Sequence, residues 1–212
     1  MVNTIRDLLF SGDVDGLSQA LKLEPTLASE RIALPGNPAT AHPLHRICDG
    51  VILECYSEDT GLRLAELLIS YGSDVNGAFA GEDSPLTAAC SLRCDHIASY
   101  YIDKGARIDH KGCHGGTALH WASWCGRDVV VEKLLAMKPE INALCIDYRS
   151  TPLFWAIHGY KFGGKENLHH QVACAHLLLE HGADASIPNF EGHLPVQLAN
   201  EQDREILALF KQ

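Results

Sequence analysis

The sequence predicts an all-α solenoid of stacked helix-turn-helix units with projecting, hairpin-like loops. Three observations carry that prediction. A short motif recurs: His42-Pro43-Leu44-His45, Ser84-Pro85-Leu86-Thr87, Thr117-Ala118-Leu119-His120, Thr151-Pro152-Leu153-Phe154 and Leu194-Pro195-Val196-Gln197. The motif starts lie 42, 33, 34 and 43 residues apart. Two of those intervals sit on a period of about 33 residues, and the other two read as the same unit carrying an insertion. The unit endings recur in register as well: GSDVN at 72–76, GARID at 105–109, PEIN at 139–142 and GADAS at 182–186.

Taken in order, a weaker unit comes first, LLFSGDVDGLSQAL, with Gly12 where Gly126 falls in the unit at Thr117. The spacing predicts six units in one domain over 1–212: 1–36 as N-terminal cap, 37–78 with an inserted loop, 79–111, 112–145, 146–188 with a second inserted loop, and 189–212 as C-terminal cap. Ser84, Thr117 and Thr151 are suited to cap a helix by accepting an orphan backbone N–H. A proline behind the cap gives up no hydrogen bond at the first helical position. Leu and Ala then form a narrow apolar stripe. Gly126 fits the turn into a second helix, VVVEKLLAM, and Gly182 suits a left-handed helix end. A single unit cannot bury its own apolar face, so stacking must supply the core and the last unit must be polar outside. The segment NEQDREILALFKQ, which mixes charges with Ile206, Leu207, Leu209 and Phe210, has that character.

These motifs and endings resemble the ankyrin-repeat family, whose signature contains T-P-L-H-x-A. The resemblance covers nearly the whole chain. The form LHWASWCGRDVVVEKLL is similar to bacterial members more than to animal ones. The resemblance implies a binding module whose partners meet the fingertip loops and the exposed, concave face of the first helices. By position, the fingertips are Glu82 and Asp83, Cys113 and His114, Asp147 and Tyr148, and Phe190 and Glu191. On the first-helix face the variable sites are Ser91, Trp124 and His158. Trp121 and Trp155 fall where the family buries a large apolar residue, and are expected to stack in the core. Trp124 is expected to face solvent, and a large exposed aromatic is a natural interface anchor. Tyr148, with Asp147 beside it, is the second candidate, then His158 and His114.

Composition narrows the partner. Apolar content is 46%, charged content 21% and formal net charge −10. Phosphate binding needs lysine and arginine in excess, so nucleic acid and anionic membranes are not expected partners. A protein with a basic or neutral surface is, with Asp147, Glu82, Asp83 and Glu191 selecting it. The N-terminus lacks the apolar core of a signal peptide, and no apolar run has the length of a membrane span. A reducing cytoplasm, a monomer and free thiols are the expectation.

Two stretches suggest other chemistry. GYKFGGKE at 159–166 matches G-x-x-x-x-G-K but ends in Glu166, where a phosphate loop has Ser or Thr to bind magnesium. A helix precedes it where a buried strand is required, so the glycines read as a flexible loop between helices. DGVILECYSEDTG at 49–61 occupies the same inter-helix place in the second unit. Both insertions (about 49–61 and 159–168) read as lengthened surface loops. The eight cysteines have no C-x-x-C pair, and Cys48 and Cys90 read as small core residues. His45 and His120 match the motif histidine, which the resemblance makes a brace between neighbouring loops. No catalytic set, metal or cofactor is expected. A non-catalytic protein-binding module is the first reading. A small-molecule, metal or nucleotide-binding protein or enzyme using the inter-helix loops, and a self-associating scaffold, stand as alternatives.

Overall fold

The computed structural model describes residues 4–34, 36–79, 81–164 and 168–211. Helices dominate, as the motif spacing predicts, and the described residues form two units, Met1–Arg107 and Ile108–Gln212.

The first unit holds α1 (Ile5–Ser11), α2 (Val14–Leu23), a hairpin of β1 (Ile32–Leu34) and β2 (Asn37–Ala41), α3 (Pro43–Ile52), α4 (Glu58–Ser70), α5 (Pro85–Ser91) and α6 (Asp95–Asp103). The strands are antiparallel, pairing Ile32 with Ala41 and Ala33 with Thr40. Arg46, itself buried, fastens this hairpin to α3. Its guanidinium donates to the carbonyls of Ile32 (2.8 Å) and Ala39 (2.7 Å) and pairs with Asp49 (2.6 Å). Leu44, Ile47, Leu64, Leu68, Leu86, Ile97 and Tyr101 fill the core. Cys48, Cys90 and Cys94 sit among them as buried thiols. A hydrogen bond to Cys94, then burial, raises the Cys48 thiol well above its ordinary value. That is the behaviour of a packing residue rather than a nucleophile.

The second unit holds α7 (Ala118–Trp124), α8 (Asp128–Ala136), α9 (Pro152–Phe162), α10 (Leu168–Glu180) and α11 (Arg204–Leu209). Leu119, Ala122, Val130, Leu134, Leu153, Ala156, Ile157, Cys174 and Leu178 are its core, and Ile206 of α11 is fully buried beneath the charged last segment.

Caps follow the motif with one exception. Ser84 and Thr151 accept from the backbone N–H three residues on, at 3.1 and 3.2 Å, and His42 does the same job with its ring Nδ1 on Leu44 N–H. The exception is α7, where Thr117 caps jointly with His120 in a capping box: His120 Nδ1 lies 2.9 Å from the Thr117 hydroxyl and accepts the Thr117 N–H at 3.1 Å.

The turn between paired helices is left-handed whatever residue occupies it: Gly12 at φ 68, Glu54 at 56, Arg93 at 63 and Gly126 at 67. At Gly126 a Cβ would also lie 2.9 Å from the side chain of Gln171 and 3.3 Å from its backbone nitrogen. Gly126→Ala is therefore expected to lower the stability of the second unit by about 1–2 kcal/mol, the cost of left-handed backbone for a residue with a Cβ. Urea unfolding measures it, and an unchanged midpoint would refute the assignment.

Both insertions begin by prolonging a helix. Gly159–Phe162 continue α9, which has 11 residues against 7 in α7, and Asp49–Ile52 continue α3, which has 10 against 7 in α5. The chain leaves the helical path only at Leu53 and Gly163. Gly164, at φ 97, supplies the turn expected of it. Lys165 and Glu166 of the phosphate-loop-like stretch lie outside the described residues.

Candidate functional site

The second unit carries a groove of about 550 Å³ with an aromatic lining. Three parts build it. Helix α9 contributes Phe154, Trp155, His158 and Phe162, whose spacing puts them on one face. Helix α7 contributes Trp121 and Trp124. Fingertip loops supply His114, then Tyr148 and Ser150, then Asn189, Phe190, Glu191 and His193.

The fingertips align because their backbones are tied in series. The N–H groups of Ile146 and Asp147 donate to the His114 carbonyl (3.0 and 3.3 Å), and Phe190 N–H donates to the Tyr148 carbonyl (2.9 Å). Asn189 holds the last tip closed, its side-chain oxygen accepting from Glu191 and His193 N–H groups. Below the tips, His120 bridges two repeats. With Nδ1 already an acceptor, its proton is on Nε2, which donates to the Ser150 carbonyl at 3.1 Å. Burial pushes this imidazole down to about 4.

Helices α7 and α9 approach closely at Gly159. A Cβ there would stand 2.2 Å from the Trp124 carbonyl oxygen. Gln171 of α10 donates to that same carbonyl at 2.8 Å. This contact sets the position of Trp124, whose indole N–H donates to His158 Nδ1 at 3.1 Å. Burial lowers the His158 pKa, which keeps Nδ1 free to accept.

The rings are inclined rather than stacked. Trp121 meets Trp155 at 5.0 Å and 84°, and Trp124 at 6.3 Å and 81°. His114 tilts against both Trp121 and Tyr148, Tyr148 against Phe190, and His158 against Phe162. Edge-to-face pairs of this kind are favourable in themselves. Exposure rises toward the mouth: Trp155 is 6% exposed, Tyr148 47%, Phe190 58% and Phe162 65%. Two carboxylates stand at the tips. Asp147 pairs with His114 Nδ1 at 2.8 Å and Glu191 with His193 Nδ1 at 3.2 Å.

Six residues singled out in the sequence thus line one groove: His114, Trp124, Tyr148, His158, Phe190 and Glu191. Asp147 joins them through His114. Glu82 and Asp83 do not. They belong to the first unit, where Glu82 takes Arg31 on both carboxylate oxygens (2.9 and 3.0 Å) and the Asp83 carbonyl lies 3.4 Å from His45 Nδ1. Trp124 is half-buried, its indole N–H held on His158. Trp121 departs from the expected core position. It is half-buried and lines the groove, crossed edge-to-face by Trp155 instead of stacked on it. Sequence reasoning missed Phe162, Phe154, Asn189 and His193. For Phe162 the available signal was its spacing of seven from Trp155 and four from His158, which only a continued helix brings to one face.

Among the described residues, no group of three or more His, Cys, Asp or Glu side chains is placed to hold a metal ion, and no helix is long and apolar enough to cross a membrane.

Comparison with known proteins agrees with this architecture. The family model described as ankyrin repeats matches residues 53–147 in three copies. The crystal structure of EF0377, an ankyrin-repeat protein, superposes with a TM-score of 0.73 at 24% identity, covering 100% of this chain and 98% of that one. The palmitoyltransferase AKR1 of Lachancea kluyveri is 29% identical over 133 residues, 57% of this chain. The chain spans only 17% of that relative's length. Residues 53–147 are thus ankyrin repeats, and the chain as a whole has the ankyrin-repeat fold. The matched segment contains His114, Trp121 and Trp124, while the rest of the groove lies beyond it.

Proposed function

We propose that the protein is a non-catalytic, cytoplasmic interaction module that takes a segment of a partner protein into the groove of its second unit. Ankyrin repeats in general bind proteins, and the observation that carries this reading is the convergence of seven aromatic side chains on one open groove. Three of these rings are about half-exposed or more before any partner arrives. Apolar surface held open in this way gains free energy when covered. The scaffold holds the rings in place through the Gly159 contact and the linked fingertips, so little ordering entropy is lost on binding. Net charge −10 and the carboxylates of Asp147 and Glu191 suit a partner segment that is neutral or basic.

The test is selection from a random peptide library displayed on phage, run in parallel on the wild type and on Trp124→Ala/Tyr148→Ala. Peptides enriched by the wild type should bind the double variant at least about thirtyfold more weakly, the loss of roughly 2 kcal/mol that marks an interface hot spot. Circular dichroism of both proteins must coincide. Equal binding to the two would place the interaction elsewhere, and no enrichment at all would remove the reading.

A further inference from the structure

The chemistry of the groove also specifies the kind of group that enters it. No lysine or arginine stands among the described residues that line it, so an anionic or phosphorylated segment would find no fixed positive charge. A purely aliphatic anchor would explain the rings but leave the carboxylates without a role. Glu191 is in the lining and Asp147 sits at the adjoining fingertip, each half-exposed and each beside a histidine. The ring geometry adds to this. Parallel stacked indoles would hide two faces in every contact. Here Trp121 stands at 81° to Trp124 and 84° to Trp155, edge against face, so each contact covers one indole face instead of two. The face of an indole is the negative end of its quadrupole, and it attracts an organic cation more strongly than any other side-chain ring does.

Resting on the interaction reading above, we infer that the groove recognises an organic ammonium group, carried on a lysine side chain of a basic segment of the partner. The cation lies over the indoles of Trp121 and Trp124, with its aliphatic stem along Phe162 and Phe190 and its charge facing Glu191 and Asp147. The stem buries apolar surface while the head meets rings and carboxylates, which is how long cationic side chains divide themselves between the two environments. The acidic balance of the whole chain draws such a segment in and discriminates against acidic ones.

Two measurements on the full chain test this. The first is titration of tryptophan fluorescence with choline and with 3,3-dimethylbutan-1-ol, which has nearly the same shape and no charge. Choline should saturate with a dissociation constant at least tenfold below that of the alcohol. Glu191→Gln/Asp147→Asn, a surface variant that leaves the rings in place, should weaken choline at least threefold and the alcohol not at all. Equal affinity for the two probes, or no saturable binding of choline, would overturn the inference. The second reads the peptides recovered by the library selection. A lysine at one recurrent position supports the inference. Enriched peptides without cations would overturn it while leaving the interaction reading intact. Failure to enrich any peptide removes that reading, and with choline still bound it would assign the cation to a free small molecule instead of a lysine.

Discussion

Gly159→Ala is expected to destabilise the unit Ile108–Gln212 by about 2–3 kcal/mol, the usual cost of forcing extra volume into a packed site. Helix propensity alone gives the opposite sign, because Gly159 lies inside α9 and alanine is favoured over glycine in a helix interior by about 1 kcal/mol. The contact decides the outcome. The new Cβ would meet the Trp124 carbonyl oxygen at 2.2 Å and the carbonyl carbon at 2.9 Å, and both are backbone atoms that cannot swing aside as a side-chain end can. Relief requires α7 and α9 to separate. That would strain the Gln171 bond to the same carbonyl and move Trp124 relative to His158. Urea unfolding should show the loss of stability, and tryptophan emission of the folded protein should shift with it. A midpoint equal to or above that of the wild type would mean that the helices do not touch here.

Acidification should act on both units through one histidine in each. His42 and His120 are buried, and burial pushes each imidazole down to about 4. For His120 the Ser150 carbonyl pulls the other way, and loses to burial. Unfolded, either ring binds its proton near pH 6.5. Below that pH the unfolded chain therefore holds more protons than the folded one, and stability falls with pH until about pH 4, beneath which both states are protonated. Between pH 7.5 and 5 the loss is about 2 kcal/mol for each histidine. Protonation would also turn the acceptor Nδ1 of His42 against Leu44 N–H and that of His120 against Thr117 N–H. Urea unfolding at the two pH values measures the loss. In His120→Gln the share belonging to the second unit should vanish, with lower stability at pH 7.5. A profile that is flat from pH 7.5 to 5 in the wild type would contradict the buried neutral state of both rings.

The repeat was legible because its signals are local. A cap, a proline, a leucine and a small residue recur at fixed offsets, and each acts on the backbone within one turn of itself. The fingertips were legible for the same reason, since a residue's distance from the motif places it on a loop whose neighbours are tied in register. What escaped the sequence depends on contacts across repeats. Glu82 looks like a free acidic fingertip until Arg31, 51 residues earlier, folds onto it. Trp121 and Trp155 occupy equivalent motif positions yet differ in exposure, because His120 meets Trp155 in an edge-to-face contact at 5.3 Å and the groove opens beside Trp121. Gly159 reads as a loop residue by propensity, and is helical because only a residue without a Cβ lets α9 pass the Trp124 carbonyl.

The four residues by which α9 outruns α7 amount to about one helical turn. Side chains around a helix advance by about 100° per residue, so lengthening of this kind comes in useful steps. Three or four residues extend the wall that carries Trp155, His158 and Phe162 and keep its stripe facing the same way. One or two would swing Phe162 onto the far side of the helix. The depth of this groove can therefore change over evolution, or by engineering, in increments of a turn, while its floor at Gly159 and the fingertip spacing stay as they are. A scaffold built on this chain has an adjustable wall and a fixed base.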